Sequence, residues 1–497
     1  MWSPVTRGVA AILCAEGAFF CWSTVQRRAI GKQPLPYADE MQPPSGRPFT
    51  REMREQSLQR LVETEFGNGR TPERGERWLE GWFFGQPFDE IDREAALTFL
   101  AWAWFNYASS ADLRAEEADE VEGVLKRFEA LSVRKLKLRD PAAPAATPPP
   151  RTPRAAGLEC MRPNADSTHR FAMHKPLAVY ILTEFIIGNL VQRLLLAKLG
   201  FEAHTVRASA GAPPLRYWHK AAPIGEDGSP HANKAPPLVL FHGIGIGWGV
   251  VYPDLLAEMV SAAHADGRAV LAVSTPHIAI TTPHDYGATP VENVASINAM
   301  LSRHSYPCAD YFAHSYGTLY VAHLLKQHPS LVRSATLIDP VCVGVHRATL
   351  CRRFLYEPSS GGERSVAVRI REWLIHRDPR IVGTLMRGFF WFENALWLDD
   401  ADLDGGANEA AAAAGGGSEV ADSGTISLFV AADDRYIDAR TIYADALAEM
   451  ARRDARGPHS KGRRLRAVLW EGQQDHGEFL AKPEQRRAVV ESALGRA

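Results

Sequence analysis

From about residue 208 onward the chain alternates short, continuously apolar runs with longer stretches of helical periodicity. The runs are PLVLF at 237–241, AVLAVS at 269–274, DYFA at 310–313, SATLI at 334–338, ISLFV at 426–430 and LRAVLW at 465–470. A strand apolar at every position is buried on both faces, and such strands separated by helices predict a parallel sheet covered on both sides. In sheets of this kind ligands and catalytic groups gather beyond the carboxyl ends of the strands.

Upstream the period is helical. Leu97, Leu100 and Ala101, and again Val121, Val124, Leu125 and Phe128, recur at helical spacing and predict a helical N-terminal region over 50–138. It carries Trp78, Trp82, Phe83, Phe84, Phe88, Phe99, Trp102, Trp104, Phe105 and Tyr107. Aromatics this dense line a lipid-like pocket or, more commonly, form a small core. Residues 139–158 are rich in Pro and Ala; proline lacks an amide donor and fixes φ, so the run is expected to be a linker. Residues 404–424, dominated by Ala, Gly and acids, are expected to be a disordered insert.

Two stretches are more uniformly apolar. In the segment 1–35, Gly8–Val25 approaches the length of a membrane span, with Arg7 before it and Arg27, Arg28 and Lys32 after, but Glu16 sits near its middle. Three readings compete: a membrane anchor, a targeting peptide and a docked apolar helix. No small-residue cleavage site is apparent, which counts against a secretory signal. The second stretch, within an apolar helix expected over 170–205, is interrupted by Glu184, Gln192 and Arg193, so it reads as a buried or interfacial helix rather than a clean span, with a core helix packed on the main domain as the better reading.

Composition then narrows the function. The 497 residues are 46% apolar and 23% charged, an ordinary globular balance. Lys+Arg 56 against Asp+Glu 58 leaves a formal net charge of −2, which offers no basic field for a phosphate backbone, so no nucleic-acid partner is expected. Six cysteines without a C-x-x-C pair support neither a zinc site nor a disulfide scaffold, and no metal is expected.

The candidate chemistry lies at the strand ends. Ala313-His314-Ser315-Tyr316-Gly317 follows DYFA and opens a helical stretch, matching the strained strand-to-helix turn G-x-S-x-G except at its first position. Such a turn lifts Ser315 Oγ clear of the sheet and aims the amide of Tyr316 at the reacting oxygen. A hydroxyl needs a base to take its proton. His476, in the loop after LRAVLW and beside Gly477, is placed to serve. The base in turn needs an anion on its other nitrogen. Asp434, after ISLFV, ranks first, Asp339 after SATLI second and Asp433 third; a turn or helix cap is the structural alternative for each. The glycine run His242-Gly243-Ile244-Gly245-Ile246-Gly247 follows PLVLF, and the amide of Ile244 would be a second oxyanion donor beside Tyr316. Its spacing is not G-x-G-x-x-G and no acid ends the next strand, so a dinucleotide site is not expected.

Together these pieces resemble the α/β-hydrolase superfamily over residues 214–497. The resemblance implies an α/β fold with a mostly parallel eight-stranded sheet in a domain over 208–497. It also implies a helical cap over about 342–403, where EWLIHRDPRIVGTLMRGFFWFENALWL suits a lid over an apolar pocket. The text WFFGQPFDEIDRE is similar to a group of membrane-associated eukaryotic hydrolase-like proteins, a likeness that carries no substrate. The expected function is a serine hydrolase cleaving a carboxylic ester, lipid-like if the lid and aromatics bear on substrate, with no organic cofactor and with Ser315, His476 and Asp434 as its triad. Its substrate would be a small-molecule or lipid ester, and its location membrane-associated or otherwise intracellular. The rivals are acyl transfer or carbon–carbon cleavage by the same groups, and a non-catalytic membrane scaffold that has kept the fold.

Overall fold

The apolar runs are strands of one sheet. In the computed structural model, which describes residues 4–32, 49–138, 159–163, 171–209, 212–223, 235–280, 288–357, 365–387, 389–400, 424–456, 462–472 and 474–496, the sheet has eight strands. These are β1 (Glu202–Val206), β2 (Leu215–Lys220), β3 (Leu238–Phe241), β4 (Val270–Ser274), β5 (Ala309–His314), β6 (Val332–Ile338), β7 (Thr425–Ala431) and β8 (Arg464–Trp470). Their order is β1-β2-β4-β3-β5-β6-β7-β8. β2 is antiparallel to both neighbours, and every pairing from β4 to β8 is parallel. The central strands β3 and β5 are buried at every residue, β3 as its unbroken apolar text requires and β5 with its one carboxylate, Asp310, paired to Arg268 and Arg333.

The chain divides into two compact units: one of 1–187, 277–286 and 351–389, the other of 188–276, 287–350 and 390–497. The first is helical. A long helix α1 (Pro4–Lys32) precedes α2 (Arg51–Phe66), α3 (Pro72–Trp82), α4 (Arg93–Phe105) and α5 (Ala115–Leu131). Thr50 caps α2 by accepting the Met53 amide at 3.3 Å. Gly67 closes the helix in the left-handed region at φ 54°, where a side chain is disfavoured. The aromatic cluster is the core of these helices: Trp82 lies 5.5 Å from Phe99 and 5.4 Å from Trp102, and Phe66 stacks on Phe128 at 5.2 Å. Gly75 is required there, because a Cβ would fall 2.2 Å from the Phe66 ring. The carboxylate of Glu76 accepts the amides of Val133 and Arg134 at 2.8 Å each and so ties the end of α5 back to α3.

Residues 351–389, expected to belong to the cap, are part of this same unit. The Arg162 amide donates to the Tyr356 hydroxyl at 3.1 Å, Phe171 packs edge-on against Tyr356, and Lys175 pairs with Asp378 at 3.0 Å, both fully buried. Burying two charges is tolerated only when each finds a partner. Asp378 also accepts the amides of Arg380 and Ile381, at the start of the helix Pro379–Arg387.

The second apolar stretch corrects an expectation. A single helix, α6 (Leu177–Lys198), is long and apolar enough to cross a membrane, as is Gly8–Val25 of α1. Only the end of α6 is the core helix expected: Leu196 is buried among the apolar residues of the sheet, whereas Ile181, Leu182, Phe185, Ile186, Leu190 and Leu194 are all exposed. Glu16, the charge that interrupts α1, accepts the Leu177 amide at 2.9 Å and thereby caps α6. The helix also stops earlier than the expected 205. Gly200, at φ +83°, ends it, and residues 202–206 become β1, paired with β2. The linker over 139–158 and residues 404–423 of the expected insert lie outside the described residues.

In the second unit, helices α7 (Pro253–Ala265), α8 (Pro290–Arg303), α9 (Thr318–Gln327), α10 (Ala439–Asp454) and α11 (Pro483–Ala493) accompany the strands. Leu256 and Met259 of α7 and Val489 of α11 pack with Leu240, Phe312 and Ile338 of the sheet. From α9, Tyr320 stacks on Phe241 at 4.8 Å. Each large apolar side chain buried this way contributes about 1.5–3 kcal/mol, so the sheet centre is the most firmly held part of the unit and a rigid base for the loops at its carboxyl end.

Candidate active site

β5 ends in a turn of unusual geometry. Ser315 has φ +55°, in the left-handed region that a side chain enters only under local compulsion. The compulsion is visible two residues on. Gly317 lies so close to the end of β3 that a Cβ would sit 2.8 Å from the carbonyl oxygen of Phe241 and 2.9 Å from that of His242. Ala313, in place of the usual first glycine, is fully buried in β5 between Phe241 of β3 and Leu337 of β6, and its single methyl is accommodated there.

The loops after β7 and β8 meet this turn. His476 Nε2 lies 2.8 Å from Ser315 Oγ, and His476 Nδ1 lies 2.6 Å from Asp434 Oδ2. The other oxygen of Asp434 accepts the amides of Tyr436 and Ile437 at 2.7 and 3.1 Å, so the acid also caps its own loop. Arg435 and Asp475 form an ion pair that joins the two loops. Gly477, at φ +76°, turns the chain away behind His476.

The other two aspartates are placed differently. Asp433 is half exposed and faces Arg440 at 3.9 Å, away from the serine. Asp339 is buried at φ +45° beneath the site and makes no bond to the His476 ring. Its oxygens accept the amides of Ala431 at 3.0 Å and Gly477 at 2.7 Å, pinning the loops that carry Asp434 and His476. Burial, then the charge of Asp434, pushes Asp339 up to about 7. His476 is held at about 9: burial opposes its charge, but Asp434, by charge and hydrogen bond, with Asp339 and Asp475 adding charge, outweighs it.

Sequence reasoning passed over two contributors. Tyr252, just before α7, has its hydroxyl 2.9 Å from the Gly243 amide and 2.7 Å from His314 Nδ1. The amide can only donate, so the hydroxyl accepts there and donates to His314, which leaves that ring's remaining proton on Nε2. That nitrogen lies 3.8 Å from Asp339. Burial holds His314 well below its ordinary value, so the ring is neutral. The two buried bonds that run from Gly243 through Tyr252 to His314 thus fix the glycine run beside the serine: a Cβ on Gly243 would fall 2.9 Å from that of Ser315. Ile244 follows directly. His314 is visible in the turn motif, but its role depends on a tyrosine with no motif of its own.

A mostly parallel sheet in this order, with one antiparallel strand near its edge and a strained serine turn at the carboxyl end of β5, decides the architecture. The chain has the α/β-hydrolase fold. No family model matches it, and no curated protein does. Among solved structures it is similar to the naproxen esterase of Bacillus subtilis, at 13% identity and a TM-score of 0.37, covering 62% of this chain and 96% of that one. It is also similar to the 2-hydroxy-6-oxo-6-phenylhexa-2,4-dienoate hydrolase of Rhodococcus sp. strain RHA1, at 10% identity and 0.38, covering 59% and 99%. A bacterial membrane phospholipase A matches at 15% identity and 0.35, over 64% of this chain and 94% of that one. What those proteins act on belongs to them, because α/β-hydrolase folds host many reactions.

Proposed function

We propose that the protein is a serine hydrolase that cleaves carboxylic esters. One observation carries the reading: a serine held at φ +55° whose Oγ is 2.8 Å from an imidazole that is itself 2.6 Å from a buried carboxylate. In this reading Ser315 Oγ attacks the ester carbonyl while His476 Nε2 takes its proton. Asp434 keeps the Nδ1 proton in place and stabilises the imidazolium that forms. The tetrahedral oxyanion accepts from the amides of Tyr316 and Ile244, which need no reorganisation at the moment of reaction. Collapse expels the alcohol, protonated by His476, and a water molecule reverses the steps to release the acid. Asp339 and Tyr252 touch no reacting atom: Asp339 holds the Gly477 and Ala431 amides and adds its charge to the field at His476, and Tyr252 acts through Gly243.

The substrate we assign is an apolar acyl ester presented at a membrane. Its support is the pair of helices, α1 and α6, whose apolar side chains, among them Ile12, Leu13, Leu182 and Phe185, face outward. Intact-mass labelling with a fluorophosphonate tests the chemistry. One adduct on the wild type and none on Ser315→Ala is expected; silence from the folded wild type, with and without detergent, would instead indicate a scaffold. A series of p-nitrophenyl esters, read with and without phosphatidylcholine vesicles, tests the substrate. Rates that fall with chain length, or ignore the vesicles, would sink the membrane part alone.

A further inference from the structure

A second group of histidines lies at the far edge of the same sheet. In the antiparallel pairing of β1 with β2, His204 stands opposite Tyr217 and Glu202 opposite His219. Side chains alternate along a strand, so these four residues share one face. His304, at the end of α8, joins them: its ring centre is 3.9 Å from that of His219 and 5.4 Å from that of His204. One ring nitrogen from each of the three histidines lies within 4.8 Å of the other two. β2 pairs with β4 so that Lys220 meets Val270 and Arg216 meets Ser274, which places His219 toward the amino end of β4. Ser315 follows the opposite, carboxyl end of β5, so this cluster is separate from the serine site.

Three features argue for a ligand rather than a simple stack of rings. His204 Nε2 is buried and has no hydrogen-bond partner among the described residues, so packing alone would strip it of water with nothing in return. Glu202 Oε2 lies 3.8 Å from that nitrogen on a mostly exposed side chain, free to swing inward. The Tyr217 hydroxyl meets His304 Nε2 at 3.0 Å, and the Tyr306 hydroxyl stands 3.5 Å from His219 Nε2. Such outer partners fix a ring's orientation and settle which nitrogen is left for a metal. A tetrahedral zinc with Zn–N of about 2.0–2.1 Å would bring the nitrogens to about 3.3 Å apart, a closure that small side-chain rotations supply.

We propose that His204, His219 and His304 bind a divalent transition-metal ion, zinc by the chemistry of the donors, with Glu202 or water as the fourth ligand. Three imidazoles with an oxygen donor suit zinc and its neighbours in the series, and suit magnesium or calcium poorly. The ion would tie the edge strands β1 and β2 to the end of α8, and so act on stability rather than on the serine chemistry.

The test uses the full chain, stripped with a chelator and titrated with Zn²⁺ against a chromophoric competitor and with Co²⁺ by visible absorption. Expected are one equivalent of zinc, tetrahedral cobalt bands and a raised melting temperature. His219→Gln and His304→Gln should each weaken binding by roughly 100-fold, with Glu202→Gln nearer tenfold. All three should leave the fluorophosphonate labelling rate within about twofold. The buried group His314, Asp339 and His476 is the competing site. Zinc that slows labelling and is lost in His476→Ala, but survives His219→Gln with His304→Gln, would overturn the proposal. So would a wild type that takes up no stoichiometric metal, a result independent of whether any variant folds.

Discussion

Two places on one sheet gather histidines and wire them differently. At the carboxyl ends, His476 has a carboxylate on one nitrogen at 2.6 Å and a hydroxyl on the other at 2.8 Å. At the β1–β2 edge, His204, His219 and His304 meet one another and tyrosine rings, and the carboxylate of Glu202 stands off from His204 at 3.8 Å. A carboxylate in contact stabilises the protonated ring, which is what proton transfer from a serine requires. Imidazoles without such a partner keep their lone pairs, which is what a metal requires. Clustering by itself therefore names no chemistry; the partner on each ring nitrogen does.

The sharpest break between the two places comes from Ser315→Ala. Adduct formation should vanish and turnover should fall by up to about 10⁶-fold, while zinc uptake at the edge stays as it was. Turnover that survived the substitution would remove the proposed nucleophile. Next in size is the acid. Asp434→Asn should slow labelling by about 10⁴-fold through loss of the correct tautomer. Asp433→Asn, whose side chain faces Arg440, should change it less than about threefold. Equal losses in the two variants would mean that the carboxylate at 2.6 Å is not the one that matters.

Gly317→Ala probes the turn rather than the chemistry. The added Cβ would meet the Phe241 carbonyl at 2.8 Å, and backbone cannot swing aside as a side chain can. A loss of about 1–3 kcal/mol is expected from the denaturant midpoint, and an unchanged midpoint would show that the turn has room to spare. The smallest effect is on pH. A base must be neutral to accept a proton, so with His476 held at about 9 the labelling rate should climb with pH and level off above that value. Asp339 contributes to that shift by its charge, so Asp339→Asn should move the midpoint downward. An unmoved midpoint would leave Asp339 only its role on the Gly477 and Ala431 amides.

Much of the sheet was legible because a strand buried on both faces must be apolar at every position. The six runs lie in β3 to β8, with ends shifted by a residue or two. β3 to β7 are buried at nearly every position, whereas β8, an edge strand carrying Arg464 and Arg466, is mostly half-buried. β1 and β2 were not legible as strands: EAHTV mixes exposed and half-buried positions and LRYWHK adds only Leu215 and Tyr217 as buried ones, since an edge hairpin has less to bury. The text of α6 leaves a buried and an interfacial helix both open for a related reason, because an apolar helix carries the same text whether a core or a bilayer covers it.

The candidate site divides along the same line. Ser315, His476 and Asp434 could be named from the sequence because the turn motif and the order of strand ends are local signals. The strain at Ser315, the retreat of Asp339 beneath the loops and the exposure of Asp433 depend on which strands lie side by side. Tyr252 reaches Gly243 and His314 across 9 and 62 residues of chain, and His204, His219 and His304 converge from two strands and a helix end. The sequence by itself determined which segments are strands of a buried sheet, since local composition sets what each can hide from water. Only the tertiary structure decided which polar groups share a site, because hydrogen bonds and ligand geometry act over about 3 Å of space irrespective of separation along the chain.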